Sequence, residues 1–117
     1  FNFMFIIIKL IFFKFKLIII KTIKMKDMLV VVKLKEGKFE RFMGFMQSEE
    51  AIKERSKVAD LSKTIATVSP DKSNVMFKIY VHDEVALKSF VNGSNPVSSP
   101  IFDEVISSYE IFELNKV

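Results

Sequence analysis

The chain has 117 residues, half of them apolar, which is enough for one domain with a real core and not for two. It contains no cysteine and a single histidine, which excludes disulfides, thiolate nucleophiles, Cys-ligated zinc and any His-pair metal site. The formal charge of +4 would point to a nucleic acid or membrane partner, but it is unevenly placed: residues 1–26 hold six Lys and no acid, while residues 28–117 hold 12 Lys and Arg (18 less those six) against 13 Asp and Glu (14 less Asp27). The domain itself is near neutral, so nucleic acid is not an expected partner.

The opening stretch, FNFMFIIIKLIFFKFKLIIIKTIK, is unlike the rest of the chain. Residues 1–26 use seven residue types only, with no Ala, Gly, Ser, Asp or Glu. Phe, Ile, Lys and Asn can all be encoded with A and T alone, which is what translation through AT-rich noncoding DNA would give. As a membrane span it is poor. The window Phe5–Ile20 holds 13 apolar residues, worth about −6 kcal/mol on the insertion scale, against roughly +7 to +10 kcal/mol for Lys9, Lys14 and Lys16. As a signal peptide it lacks a separate charged region and a small-residue cleavage site, since the first Ala of the chain is Ala51. As a helix, its lysines fall in a sector of roughly 160°, so an interfacial basic helix stays open. The expectation is that residues 1–27 are a non-native or membrane-associated extension, that the domain covers 28–117 with its start at Met25 or Met28, and that it is cytoplasmic. A membrane is a partner only if residues 1–26 are translated.

From Met28 the pattern is that of an ordinary domain. Met28–Lys35 (MLVVVKLK) is short, β-branched and followed by Glu-Gly, and it reads as a strand with Val30, Val32 and Leu34 on one side and Leu29, Val31 and Lys33 on the other. In KFERFMGFMQ, Phe39, Phe42, Met43 and Met46 recur at i, i+3, i+4 and i+7, the stripe of an amphipathic helix, with Gly44 off it. Ser48 reads as an N-cap, with Glu49 and Glu50 in the first turn where negative charge suits the helix dipole.

TIATVS and NVMFKIYVH, joined by a Pro-Asp-Lys-Ser turn, read as a hairpin. Val75, Phe77, Ile79 and Val81 form its apolar face; Met76, Lys78, Tyr80 and His82 form the mixed one. Asp83 caps a helix that Gly93 ends. After the loop SNPVSSP, Ser99-Pro100 starts a short helix as N-cap and first residue. SYEIFELN alternates as a last strand, Tyr109 and Ile111 opposite Phe112 and Leu114.

This order is that of a ferredoxin-like split βαβ sandwich: α+β, with a four-stranded antiparallel sheet and its helices on one face. The other face carries Leu29, Val31, Met76, Tyr80 and one side of the last strand. That is too apolar to stay wet, and pairing two sheets across a two-fold axis would cover it.

The Phe-rich first helix running into SEE, the hairpin VSPDKSNVMFKIYVHD and the closing ISSYEIFEL together resemble the dimeric α+β barrel group, and within it a small set of uncharacterised marine cyanobacterial proteins. The likeness spans about 85 residues, a common domain size, and excludes the opening stretch. It implies a homodimer with a modest cavity between sheet and helices. Better-known members of the group are cofactor-free quinone-forming monooxygenases, haem-degrading enzymes and stress-induced proteins. The monooxygenases place Trp and Asn in the cavity; this chain has no Trp, and no Asn is expected inside a strand.

Four residues are candidates for ligand binding. His82, at the end of a strand, could act as a base or as a donor to a ligand, or could be a partly exposed histidine beside a helix cap. Lys33, Lys78 and Tyr80 share the mixed sheet face and could hold an anionic or phenolic ligand; the structural alternative pairs Lys78 with Glu110 or Glu113 across strands. The acids come singly or at helix starts, and no nucleotide loop or nucleophile elbow is present. No metal, no cofactor and no catalytic constellation is therefore expected. The leading expectation is binding of a small apolar or aromatic molecule. A cofactor-independent monooxygenase or isomerase and a membrane-attached interaction module are the alternatives, and the sequence leaves open whether any reaction is catalysed.

Overall fold

The structure is a computed structural model that describes residues 25–117. The extension expected over residues 1–27 falls almost wholly outside the described residues. In chain order the elements are β1 (Lys26–Leu34), α1 (Phe39–Met46), α2 (Glu49–Ser56), a 3-10 turn (Leu61–Lys63), β2 (Ile65–Val68), β3 (Asn74–Val81), α3 (Glu84–Asn92), α4 (Ser99–Val105) and β4 (Ile106–Leu114). The four strands pair antiparallel in the order β2-β3-β1-β4, and the helices cover one face: an α+β, ferredoxin-like fold, as the element order predicts.

Register explains which face is buried. Val30 lies opposite Phe77 on β3 and Ile111 on β4, and Val32 opposite Val75 and Tyr109. With a side-chain period of two, these rows turn toward the helices together. Met28, Val30, Val32, Leu34, Val75, Phe77, Ile79 and Val81 are all buried there. The helices add Phe42, Met46, Leu87, Phe90, Val91 and Phe102. A knot of phenyl rings joins them. Phe102 of α4 meets Phe90 edge-on at 5.2 Å, Phe45 edge-on at 5.5 Å and Phe42 at 5.8 Å, while Phe42 reaches Phe77 of the sheet at 6.2 Å. Edge-to-face contacts of this kind add to plain area burial.

The helix ends form as their residues dictate. Ser48 Oγ accepts from the Ala51 N–H at 3.2 Å, Asp83 Oδ1 accepts from the Ala86 N–H at 2.9 Å, and Gly93 closes α3 with φ of 90°, a left-handed conformation that suits glycine. Three expectations shift. β1 starts at Lys26, two residues before Met28, because Lys26 and Asp27 already pair with Val81 and Tyr80, and Lys26 Nζ reaches Glu84 at 2.9 Å. Phe45, off the four-residue stripe of α1, is partly buried against Phe90 and Phe102, so the apolar sector of that helix is wider than the stripe. Helix α4 begins at Ser99 rather than Pro100, since the preceding Ser98 is wholly buried and its hydroxyl donates to the Phe90 carbonyl at 2.6 Å. Helix and strand then abut with no loop, Val105 being the last helical residue and Ile106 the first of β4. A bulge between Lys33 and Leu34 realigns the β1–β4 ladder, and Ser107 Oγ donates to the Lys33 carbonyl at 3.2 Å there.

Replacing Phe102 by Ala opens a void at the junction of three helices and is expected to cost about 3–5 kcal/mol in denaturant unfolding; a loss under about 1 kcal/mol would show that the ring knot does not hold the layers. The hairpin turn gives a pH signature. The Asp71 carboxylate accepts from the Ser73 and Ser69 hydroxyls and from the Ser73 N–H, which lower its pKa from 3.8 to about 2. Because the folded value is depressed, its contribution is complete above the ordinary value and fades as pH falls toward 2. A carboxyl titration followed by NMR should give that low midpoint, and Ser73→Ala should raise it; an Asp71 midpoint near 4 would contradict the turn geometry.

Candidate functional site

Between sheet and helices lies an apolar cavity of about 60 Å³, with Val30, Val32, Phe77 and Ile79 as its floor and Phe42, Met46, Leu87 and Phe102 among its walls. The floor residues are one face of the two central strands, so the hydrophobic alternation that builds the core also builds the site. Among the described residues, Arg55 of α2 and Thr64 after the 3-10 turn are the only ones lining it with polar side chains. Arg55 is partly buried and donates through Nη1 to the Met46 carbonyl at the end of α1, at 2.9 Å. Burial pulls its proton affinity below the ordinary value, yet a guanidinium remains charged at neutral pH. Larger depressions, of about 370 Å³ beside α3, α4 and β4 and about 720 Å³ beside α1 and α4, lie open on the surface.

None of the four candidate residues lines this cavity. Lys33, Lys78 and Tyr80 face the opposite side of the sheet, Lys78 in the row of Leu29, Tyr80 in that of Asp27 and Lys33 in that of Asn74. Lys78 and Tyr80 are two residues apart on β3, but Lys33 stands opposite Asn74, about 13 Å along the sheet from Lys78 and about 20 Å from Tyr80 at the usual rise per residue. Lys78 does not pair with Glu110 or Glu113. Its row runs through Leu29 to Phe112, Glu110 lies one row further on, and Glu113 turns to the other face, where it meets Lys26 at 3.6 Å. The Lys63 ammonium sits over the Tyr80 ring at 4.5 Å.

His82 lies just past the end of β3 and is turned away from the three. Its Nε2 lies 3.1 Å from the Ser56 carbonyl; a carbonyl only accepts, so Nε2 carries the proton. Its backbone N–H donates to the Val58 carbonyl at 3.0 Å, part of a short pairing of residues 58–60 with the end of β3. Asp60 is close, but its carboxylate is engaged by the Ser62 hydroxyl at 2.6 Å and the Ser62 N–H at 3.0 Å, which hold its carboxyl below the ordinary range. Among the described residues no acid is hydrogen-bonded to His82, and no group of three His, Asp or Glu could hold a metal ion.

Asparagine also needs amending: Asn74 is the first residue of β3, on the face away from the cavity, with its amide donated to Ser73 Oγ at 3.0 Å. Arg55 and Thr64 escaped sequence reading because neither sits on a periodic apolar stripe. Only the packing of α2 and the 3-10 turn against the sheet brings them to the cavity.

No protein-family model matches the chain, and no curated protein matches it in sequence. Its fold does have solved relatives. A protein from Bacteroides thetaiotaomicron bearing the provisional name antibiotic biosynthesis monooxygenase superposes with a TM-score of 0.56 at 16% identity, over 80% of this chain and 90% of that one. A NIPSNAP family protein from Agrobacterium tumefaciens gives 0.55 at 17% identity, over 80% and 86%. An uncharacterised NIPSNAP domain protein from Burkholderia xenovorans gives 0.55 at 16%, over 78% and 93%. These likenesses show the ferredoxin-like α+β fold.

Proposed function

We propose that this chain binds a small apolar or aromatic molecule in the cavity between its sheet and helices, without a cofactor, and that it does so as a cytoplasmic homodimer. The observation that carries the reading is the cavity itself, a partly open pocket between the central strands and the helices, walled by apolar side chains and edged by Arg55, Leu61 and Thr64. At about 60 Å³ it is smaller than an aromatic ring requires, so a guest enters by displacing part of the wall. A larger guest has adaptable walls to displace: Met46 is unbranched and flexible, and Leu61 is partly exposed on a three-residue turn. Arginine and threonine are poor general acid–base groups at neutral pH, which favours binding over the monooxygenase or isomerase alternative. The interaction module tied to a membrane depends on residues 1–26, of which 1–24 lie outside the described ones; among the described residues no helix is long and apolar enough to cross a membrane. The kinship with the marine cyanobacterial set rests on the sequence pattern alone.

The dimer is proposed from the other sheet face. Ile65 is 57% exposed, Phe112 44% and Met76 40%, and half-buried Leu29 and Val31 lie between them. An apolar patch of this kind, interrupted by Lys78 between Ile65 and Leu29 and bordered by Glu110, is the sort that partners cover. On this reading Lys33, Lys78 and Tyr80 supply the polar groups of the interface and of any ligand reaching it, while His82, turned to the Ser56 carbonyl, stands apart from them.

Naphthalene titrated into the labelled chain is expected to shift amides of Thr64, Ile79 and Val91, all on the cavity wall. Shifts confined to Met76 and Phe112, or none, would overturn the cavity reading. Light scattering on the full chain and on residues 25–117 is expected to give a dimer, and Phe112→Lys to weaken it at least tenfold by placing an unpaired charge in the interface. A monomer in both would refute the dimer.

A further inference from the structure

We propose that the cavity selects an apolar molecule with an anionic head, a medium-chain or aryl carboxylate, whose carboxylate is held by Arg55. The inference rests on the cavity being the binding site and adds the class of ligand. Arg55 lines the cavity and uses one guanidinium N–H on the Met46 carbonyl; a guanidinium has five, so four are left that a carboxylate at the cavity rim would take.

What sets Arg55 apart is its lack of a counter-ion. The other described arginine, Arg41, pairs with Glu104 at 2.9 Å, and the neighbouring Glu54 is taken by Lys57 at 3.1 Å and by the Asn95 amide at 3.3 Å. No carboxylate among the described residues lies within ion-pair distance of Arg55, and residues 1–24 contain neither Asp nor Glu to supply one. A partly desolvated cation without a partner is costly to keep, and arginine rather than lysine is the residue suited to paired recognition of a carboxylate. Burial is the only influence on its proton affinity, in the direction expected of a charge that no acid stabilises. The cavity wall beside it is apolar except for Thr64. An apolar body would displace Met46 and enter, while its head stays at Arg55.

The test compares octanoate with octan-1-ol, probes of equal chain length and different head, by calorimetric titration of the full chain. Octanoate is expected to bind at least tenfold more tightly. Arg55→Gln should abolish that ratio by weakening octanoate. Arg55→Lys, which keeps the charge and loses the fork, should reduce the ratio without removing it, and it serves as the test should the Gln variant fold poorly. Equal binding of both probes to the unaltered chain, or a ratio that survives either substitution in full, overturns the anionic head and leaves the apolar-binding reading standing. Failure of both probes to bind removes both.

Discussion

Phe102 sits where three helices and a cavity meet. Its ring contacts Phe42, Phe45 and Phe90 and also forms part of the cavity wall. The layers are held at the spacing of these rings, and that spacing decides how much room remains above Val30, Val32, Phe77 and Ile79. Phe42, Phe90 and Phe102 also line the cavity, so the ring packing that joins the helices bounds the space left above the sheet. The core and the site are therefore one object. A substitution that tightens the first changes the second.

The sheet divides the chemistry in two. On the helix side stand an apolar cavity, one unpaired guanidinium and one hydroxyl. On the other stand Lys33, Lys78 and Tyr80 among exposed Met76, Phe112 and Ile65. A one-residue register slip would exchange the two sets, and the turn at Asp71 guards against it: the carboxylate ties Ser69 and Ser73 together and so fixes where β2 ends and β3 begins.

Much of this was legible in the residues. Alternation over Val30–Leu34, Val75–Val81 and Tyr109–Leu114 assigned each strand's faces correctly, because a period of two admits no compromise. Ser48, Asp83 and Gly93 marked helix ends through chemistry that acts over three or four residues. Less visible was anything set by tertiary packing. Ser98 displaces Ser99 from the cap position because its hydroxyl is needed by the Phe90 carbonyl, eight residues away. Lys26 and Asp27 look like part of a basic lead-in until Val81 and Tyr80 are placed beside them. Arg55 lies in a polar, weakly patterned helix, SEEAIKERSKVA, where nothing local distinguishes it from its charged neighbours. The candidates that sequence did suggest were chosen for their residue type, and type alone does not say on which side of a sheet a side chain stands relative to a hollow.

The direct join of α4 to β4 bears on how this chain can vary in length. Between Phe102, fixed in the ring knot, and Ile111, fixed opposite Val30, there is no slack loop. Losing or gaining one residue there would rotate the strand by half a pleat, sending Phe112 and Leu114 toward the helices and Ile111 outward. The bulge at Ser107 is the only irregularity in that ladder where an extra residue is already absorbed. The loop from Gly93 to Pro96, though exposed for most of its length, is pinned by Asn95, whose side chain accepts from the Val97 and Ser98 N–H groups and donates to Glu54. Relatives of this chain should thus keep a constant count between Phe102 and Ile111.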